Sequence, residues 1–136
     1  WNVPGNWNLN RVPITNDRVI VNTCTNCPAL SGDINISGLR LNSGSLIKLN
    51  NHTLSIAGEI FIDQSRIESD NGQMHANDFS EVKQSTFVGA IVLEKQGGNI
   101  NAWYGGNNFS PHLKMINSSS QEWRVATQAA NVIQSP

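Results

Sequence analysis

Residues 34–62 read INISGLRLNSGSLIKLNNHTLSIAGEIFI, and the fold turns on how this stretch is parsed. Apolar residues alternate with polar ones in short runs (Ile34/Ile36, Leu39/Leu41, Leu46/Leu49, Leu54/Ile56, Ile60/Ile62), each cut after a few residues by Gly, Asn or Ser. A helix would repeat its apolar face every three or four residues; alternation marks short strands with one face buried.

Outward from this stretch the runs recur at a fixed interval. Val19, Leu39, Ile60 and Val82 form one series with steps of 20, 21 and 22. Leu46, Ile67, Phe87 and Phe109 form a second with steps of 21, 20 and 22. Ile34, Leu54, Met74, Ile91 and Leu113 form a third with steps of 20, 20, 17 and 22. Three columns at one period predict an all-β, right-handed parallel β-helix, a three-sided solenoid with about 20 residues per coil. One coil cannot bury its apolar side alone, but coils about 4.8 Å apart pair their main chains and enclose a common core. Residues 18–136 then hold about six coils, a rod roughly 25–30 Å long on that spacing. An antiparallel sandwich also has short strands and frequent turns, but it gives no reason for three columns to share a period.

The turns fall between the columns: Asn42-Ser43-Gly44, Asn50-Asn51-His52, Ala57-Gly58, Asp70-Asn71-Gly72 and Gly97-Gly98-Asn99. Gly and Asn tolerate the left-handed backbone that sharp corners need. Residues 1–17 carry Trp1, Trp7, Pro4 and Pro13 with little alternation, and are expected to form an N-terminal cap whose aromatics cover the first coil. An exposed aromatic platform for carbohydrate is the other reading of Trp1 and Trp7. The chain opens on Trp1 rather than Met and stops at Pro136 without a polar terminal element, so a processed protein or a fragment whose coils continue is expected.

With 136 residues, 14% charged and a formal net charge of -1, the chain has no sustained field for a phosphate backbone or an anionic bilayer, so neither nucleic acid nor membrane insertion is expected. Cys24 and Cys27 form a lone CxxC. A local disulfide, free thiols, and a metal or redox role are the readings open to it. His52, His75 and His112 offer no paired ligand motif, and no helix-opening α/β pattern surrounds the cysteines.

β-Helices can carry polysaccharide-cleaving sites, which need converging carboxylates. The ten acids are spread along the chain, with Asp63, Glu68 and Asp70, and Asp78 with Glu81, as the nearest groupings. No G-x-S-x-G, phosphate loop or H-E-x-x-H occurs. No catalytic residue, cofactor or metal is therefore expected. Trp103 and Tyr104 are the candidate glycan contacts, on the expectation that both are exposed.

The opening Trp1-Asn-Val-Pro-Gly-Asn-Trp7, then Arg11-Val-Pro13, Asn16-Asp-Arg-Val-Ile-Val21, Cys24-Thr-Asn-Cys-Pro28 and Leu30-Ser-Gly-Asp33, resembles the start of large repetitive surface proteins of the Bacteroidetes. Ser85-Thr-Phe87, Gly97-Gly98, Tyr104-Gly-Gly-Asn-Asn-Phe109 and Trp123-Arg124 resemble the repeats of the same proteins. The resemblance implies a long adhesin-like polypeptide exported by type IX secretion and held at or released from the cell surface, in keeping with gliding motility. Its implied partners are further coils or domains of the same polypeptide, surface glycans, and the secretion or display machinery. A lectin or lyase-like β-helix, and a secretion cargo, are the competing functional readings.

Overall fold

The computed structural model describes residues 1–99, 101–125 and 132–133, with the backbone alone for 101, 102, 132 and 133. Apart from a single 3-10 turn at Pro4–Asn6, its regular elements are strands: β1 (Arg18–Val21), β2 (Ile34–Ile36), β3 (Gly38–Leu41), β4 (Leu46–Asn50), β5 (Thr53–Asp63), β6 (Arg66–Lys83), β7 (Thr86–Lys95), β8 (Asn101–Ala102), β9 (Asn108–Phe109), β10 (Leu113–Asn117), β11 (Trp123–Arg124) and β12 (Val132–Ile133). Each ladder between them is parallel.

The ladders sort into three walls. Wall A runs from β1 through β3 to the second half of β5 and the second half of β6. Wall B runs from an isolated bridge at Ala29 through β4, the first half of β6 and the first half of β7 to β9 and β12. Wall C runs from β2 through the first half of β5, the middle of β6 and the second half of β7 to β10. The chain therefore winds as a β-solenoid of about five turns. Strands β5, β6 and β7 pass round corners without a break, and β5 and β6 shift register at Ile56/Glu59 and Ser69/Gly72, the bulges that allow a strand to bend.

The core is one column of inward side chains. Val19 lies beside Leu39 and Leu39 beside Ile60; Val21, Leu41, Ile62 and Val82 form a parallel file one position on. Ile67, Phe87 and Phe109 follow one another in wall B, and Ile34, Leu54 and Met74 in wall C. Three sequence columns need correction. Val82 sits beside Ile62 rather than Ile60, because the bulge between Glu59 and Phe61 inserts a residue. Leu46 sits beside Arg66 and is half-buried, while Ile47 takes the core place beside Ile67. Met74 sits beside Leu93 rather than Ile91, and Ile91 lies between Gly72 and Leu113. The Leu46/Ile47 exchange is a choice of parity, where a slip of one residue turns a side chain from core to solvent; the other two are shifts of one inward position, since Ile60, Ile62, Ile91 and Leu93 are all buried.

The expected coil region 18–136 extends past what is described: residues 126–131 and 134–136 lie outside the described residues. Coil length varies along the rod, from 20 residues between Val19 and Leu39 and 19 between Met74 and Leu93 to 22 between Phe87 and Phe109.

Candidate functional site

The corner between walls A and B is built the same way four times. Gly44, Gln64, Gln84 and Gly106 all have left-handed backbone, with φ of 76°, 45°, 48° and 67°. The N–H of Gly44 donates to Gln64 O at 2.9 Å, that of Gln64 to Lys83 O at 3.1 Å and that of Gln84 to Gly105 O at 3.1 Å, so main-chain pairing continues round the bend. Each left-handed residue is followed by a small polar residue turned inward: Ser45, Ser65, Ser85 and Asn107 are all buried. Ser65 N–H donates to Ser85 Oγ at 3.1 Å, Ser85 N–H donates to Asn107 Oδ1 at 3.0 Å, and Ser85 Oγ donates to Lys83 O at 2.8 Å. The hydroxyls of Ser45 and Ser65 have no hydrogen-bond partner among the described residues. Sequence reading missed this ladder because Gln at a left-handed corner carries no turn signal. The repeat of Gln64-Ser65 as Gln84-Ser85 was the available clue.

Outside this corner, Gln64, Glu81, Lys83, Gln84, Tyr104 and the Gly105-Gly106 turn line an open hollow of about 500 Å³. Lys83 Nζ lies 2.9 Å from Glu81 Oε1 and 3.5 Å from Asp63 Oδ2, and the Glu81 carboxylate holds the ammonium above the usual lysine range. Tyr104 is 41% exposed and lines the hollow with the exposed side chains of Gln64, whose amide donates to Asp63 Oδ1 at 3.4 Å, and Gln84. An aromatic face with hydrogen-bonding amides and a charged pair can hold a polyhydroxylated ligand.

Trp103 does not join Tyr104 there. It is fully buried, with its ring centroid 6.0 Å from those of Phe79 and Phe109 and 5.2 Å from Trp123. The two residues follow one another along wall A, so alternation sends Tyr104 out and Trp103 in. The expectation that both are exposed is corrected: Tyr104 is exposed and Trp103 is not.

Asp63 and Glu81 meet at Lys83, and the other acids stand apart. Asp63 lies with Lys83, Glu68 with Arg66 (2.7 Å) and Lys48 (3.3 Å), Glu59 with Arg18 (2.8 Å) and Glu94 with His75 (3.5 Å). Hydrogen bonding from Arg66 holds the Glu68 carboxyl below its ordinary range, and Ser118 does the same for Glu94. Asp78 is buried and accepts from Asn99 N–H at 3.4 Å, covered by the turn at Gly97–Asn99, whereas Glu81 lies with Lys83. No group of three or more His, Cys, Asp or Glu that could hold a metal occurs among the described residues. One basic side chain is internal: Lys95 is fully buried at the end of wall C, with Nζ donating to Gly97 O at 2.6 Å and Ser119 Oγ at 2.8 Å. It ties β7 to the turn that follows and to the next coil.

At the opposite end, Trp1 is buried and Trp7 half-buried, their ring centroids 5.0 Å apart, with Trp7 Nε1 donating to Trp1 O at 2.9 Å. Cys24 and Cys27 are joined by a disulfide in the loop after β1. Arg11 and Asp17 meet through both guanidinium nitrogens, and Asp17 also accepts from Ile14 N–H at 2.8 Å. The Arg11 hydrogen bonds lead in pulling the Asp17 carboxyl down to about 2. Between this segment and the first coil lies a groove of about 530 Å³.

No family model, curated protein or solved structure matches the chain.

Proposed function

We propose that this chain is a structural and adhesive segment of a secreted bacterial cell-surface protein, a non-enzymatic right-handed β-helix that holds other parts of its polypeptide away from the surface. The observation that carries this reading is the continuous three-walled ladder, with Glu59, Glu68 and Asp63 each drawn into an ion pair between coils. Such a stack resists bending because each coil is fixed to its neighbours along three lines of hydrogen bonds. The disulfide favours an oxidising compartment such as the cell exterior, and export by type IX secretion follows from the resemblance of the opening segment. In the test, beads coated with the chain adhere to glycan- or protein-coated substrata and release no unsaturated product from polyuronates. Product release would overturn the reading.

The Tyr104 hollow favours a second reading, a carbohydrate-binding β-helix, because it sets one exposed ring beside the Gln64 and Gln84 amides. On a glycan array, selective binding that falls about tenfold or more in Tyr104→Ala would support it. Binding unchanged in that variant would remove the site from consideration.

A further inference from the structure

Asn71 and Gly72 form the one Asn-Gly pair in the chain, and they sit at the corner where β6 leaves wall B for wall C. An asparagine side chain reacts with its own main chain when the nitrogen of the next residue can reach its amide carbon, and glycine, lacking a Cβ, obstructs that approach least. The corner leaves no choice of successor. A Cβ on Gly72 would stand 2.7 Å from Leu49 Cβ, 2.8 Å from His52 O and 2.9 Å from Ser69 Oγ, closer than van der Waals contact with all three. Asn71 itself is exposed, so water reaches its carboxamide.

The nucleophile is held back. Gly72 is buried, and its N–H donates to Ser69 Oγ at 2.6 Å. Ser69 is itself buried, and its hydroxyl donates to Asn50 O of the preceding coil at 3.1 Å. The next main-chain N–H, that of Gln73, donates to His52 O at 3.0 Å. On the other side, Gly89 of the following coil packs directly on the Ser69 carbonyl. An amide nitrogen attacks only after giving up its proton, and this proton faces a buried hydroxyl instead of water.

We propose that Asn71–Gly72 is a self-modification site gated by this corner: Ser69 keeps it unreacted in the closed coil, and opening of the corner releases it to cyclise. In the step, Gly72 N loses its proton to solvent base and bonds to Asn71 Cγ, and the carboxamide nitrogen leaves as ammonia. Water then opens the succinimide at either carbonyl, giving aspartate on the original chain path or isoaspartate with one more methylene in the main chain. The added methylene falls between Ser69 and Gly72, whose partners in the next coil are Gly89 and Ile91, so the corner cannot close again in the same register. An opening that hydrogen bonds alone would reverse thus leaves a lasting covalent record.

Trypsin releases residues 67–83 by cutting after Arg66 and Lys83, and this peptide carries Asn77 as an internal reference. Mass spectrometry of it, after incubation of the intact chain in mildly alkaline buffer, reads conversion at Asn71. Conversion in the folded chain is expected to be slower by about tenfold or more than in the free peptide. Ser69→Ala is expected to recover most of that difference, whereas Ser85→Ala, which deletes a bonded hydroxyl at the corner between walls A and B, leaves it in place. In the unaltered chain, conversion at rising urea below the unfolding transition should increase in step with hydrogen exchange at the Gly72 amide, a readout that stands even where Ser69→Ala does not fold. Chains aged in urea and returned to buffer are expected to regain protease resistance as the aspartate form and not as the isoaspartate form. Equal conversion in folded chain and peptide, equal acceleration by the two serine variants, conversion that ignores Gly72 exchange, or native refolding of the isoaspartate form overturns the proposal.

Discussion

The first three coils and the last two solve the same packing problem with different side chains. Around Val19 to Ile62 the column is aliphatic: Val, Leu and Ile fall beside Val, Leu and Ile in successive coils, 20 or 21 residues apart. From Phe79 onward aromatic rings join it, with Phe79, Phe87, Trp103, Phe109 and Trp123 in one connected cluster at neighbouring centroid distances of 5.0 to 6.4 Å. The aromatic coils are also longer, 22 residues from Phe87 to Phe109 and from Ile91 to Leu113, and two left-handed glycines, Gly105 and Gly106, make the bend before Phe109. The difference teaches that main-chain pairing sets the architecture. The ladder runs unbroken across the change, while coil length and corner chemistry adjust to the volume enclosed.

The largest test of this contrast is removal of its biggest buried ring. Trp103→Ala should cost about 3–5 kcal/mol, because the cavity is bounded by other aromatics that cannot collapse into it. Ile62→Val in the aliphatic half should cost about 1 kcal/mol by the same urea titration. Comparable losses for the two would erase the distinction.

Gly89 lies where the corner between walls B and C enters the aromatic half. Its φ is 86°, and a Cβ there would overlap the Ser69 carbonyl oxygen of the coil before. Gly89→Ala is therefore expected to destabilise by about 2–3 kcal/mol, read from the thermal midpoint. Full tolerance would mean that the corner can be rebuilt around a side chain.

The serine ladder sharpens the comparison because its members are alike in sequence and unlike in bonding. Ser85→Ala removes a hydroxyl that accepts from Ser65 N–H and donates to Lys83 O, and should cost about 1–3 kcal/mol. Ser65→Ala removes a buried hydroxyl without a partner and should be neutral or slightly stabilising. Equal effects would show that position in the ladder, and not bonding, decides.

The smallest expected effect is confined to the N-terminal end. Because the folded-state value of Asp17 lies below the ordinary carboxylate range, its clamp on Arg11 stabilises the cap fully above about pH 4 and is lost as pH falls through about 2. An acid titration of single-Trp variants should move Trp7 emission in that window before Trp103 emission. Simultaneous change would show that the cap does not open separately from the coils.

Much of the solenoid could be read from spacing alone, because each inward position must meet a like position one coil away. Val19 with Leu39, Leu39 with Ile60, Ile67 with Phe87 and Phe87 with Phe109 follow from that rule. The candidate sites were far less legible. Trp103 and Tyr104 are adjacent aromatics, and nothing local says which of them faces solvent. The N-terminal groove depends on how residues 1–17 pack against β1 and the Cys24–Cys27 loop, which no pattern within those residues records.

By itself, the sequence determined the parallel stacking, the period and the identity of most core residues, since a regular alternation repeated at one interval has few ways to bury its apolar side. Only the tertiary structure decided parity and register: Ile47 over Leu46, Trp103 inside and Lys95 buried are choices of face, whereas Val82 beside Ile62 and Leu93 beside Met74 are shifts of one inward position. The physical reason is that a strand offers two faces of equal backbone energy, and bulges and corners between strands choose between them only when the coil closes on its neighbours.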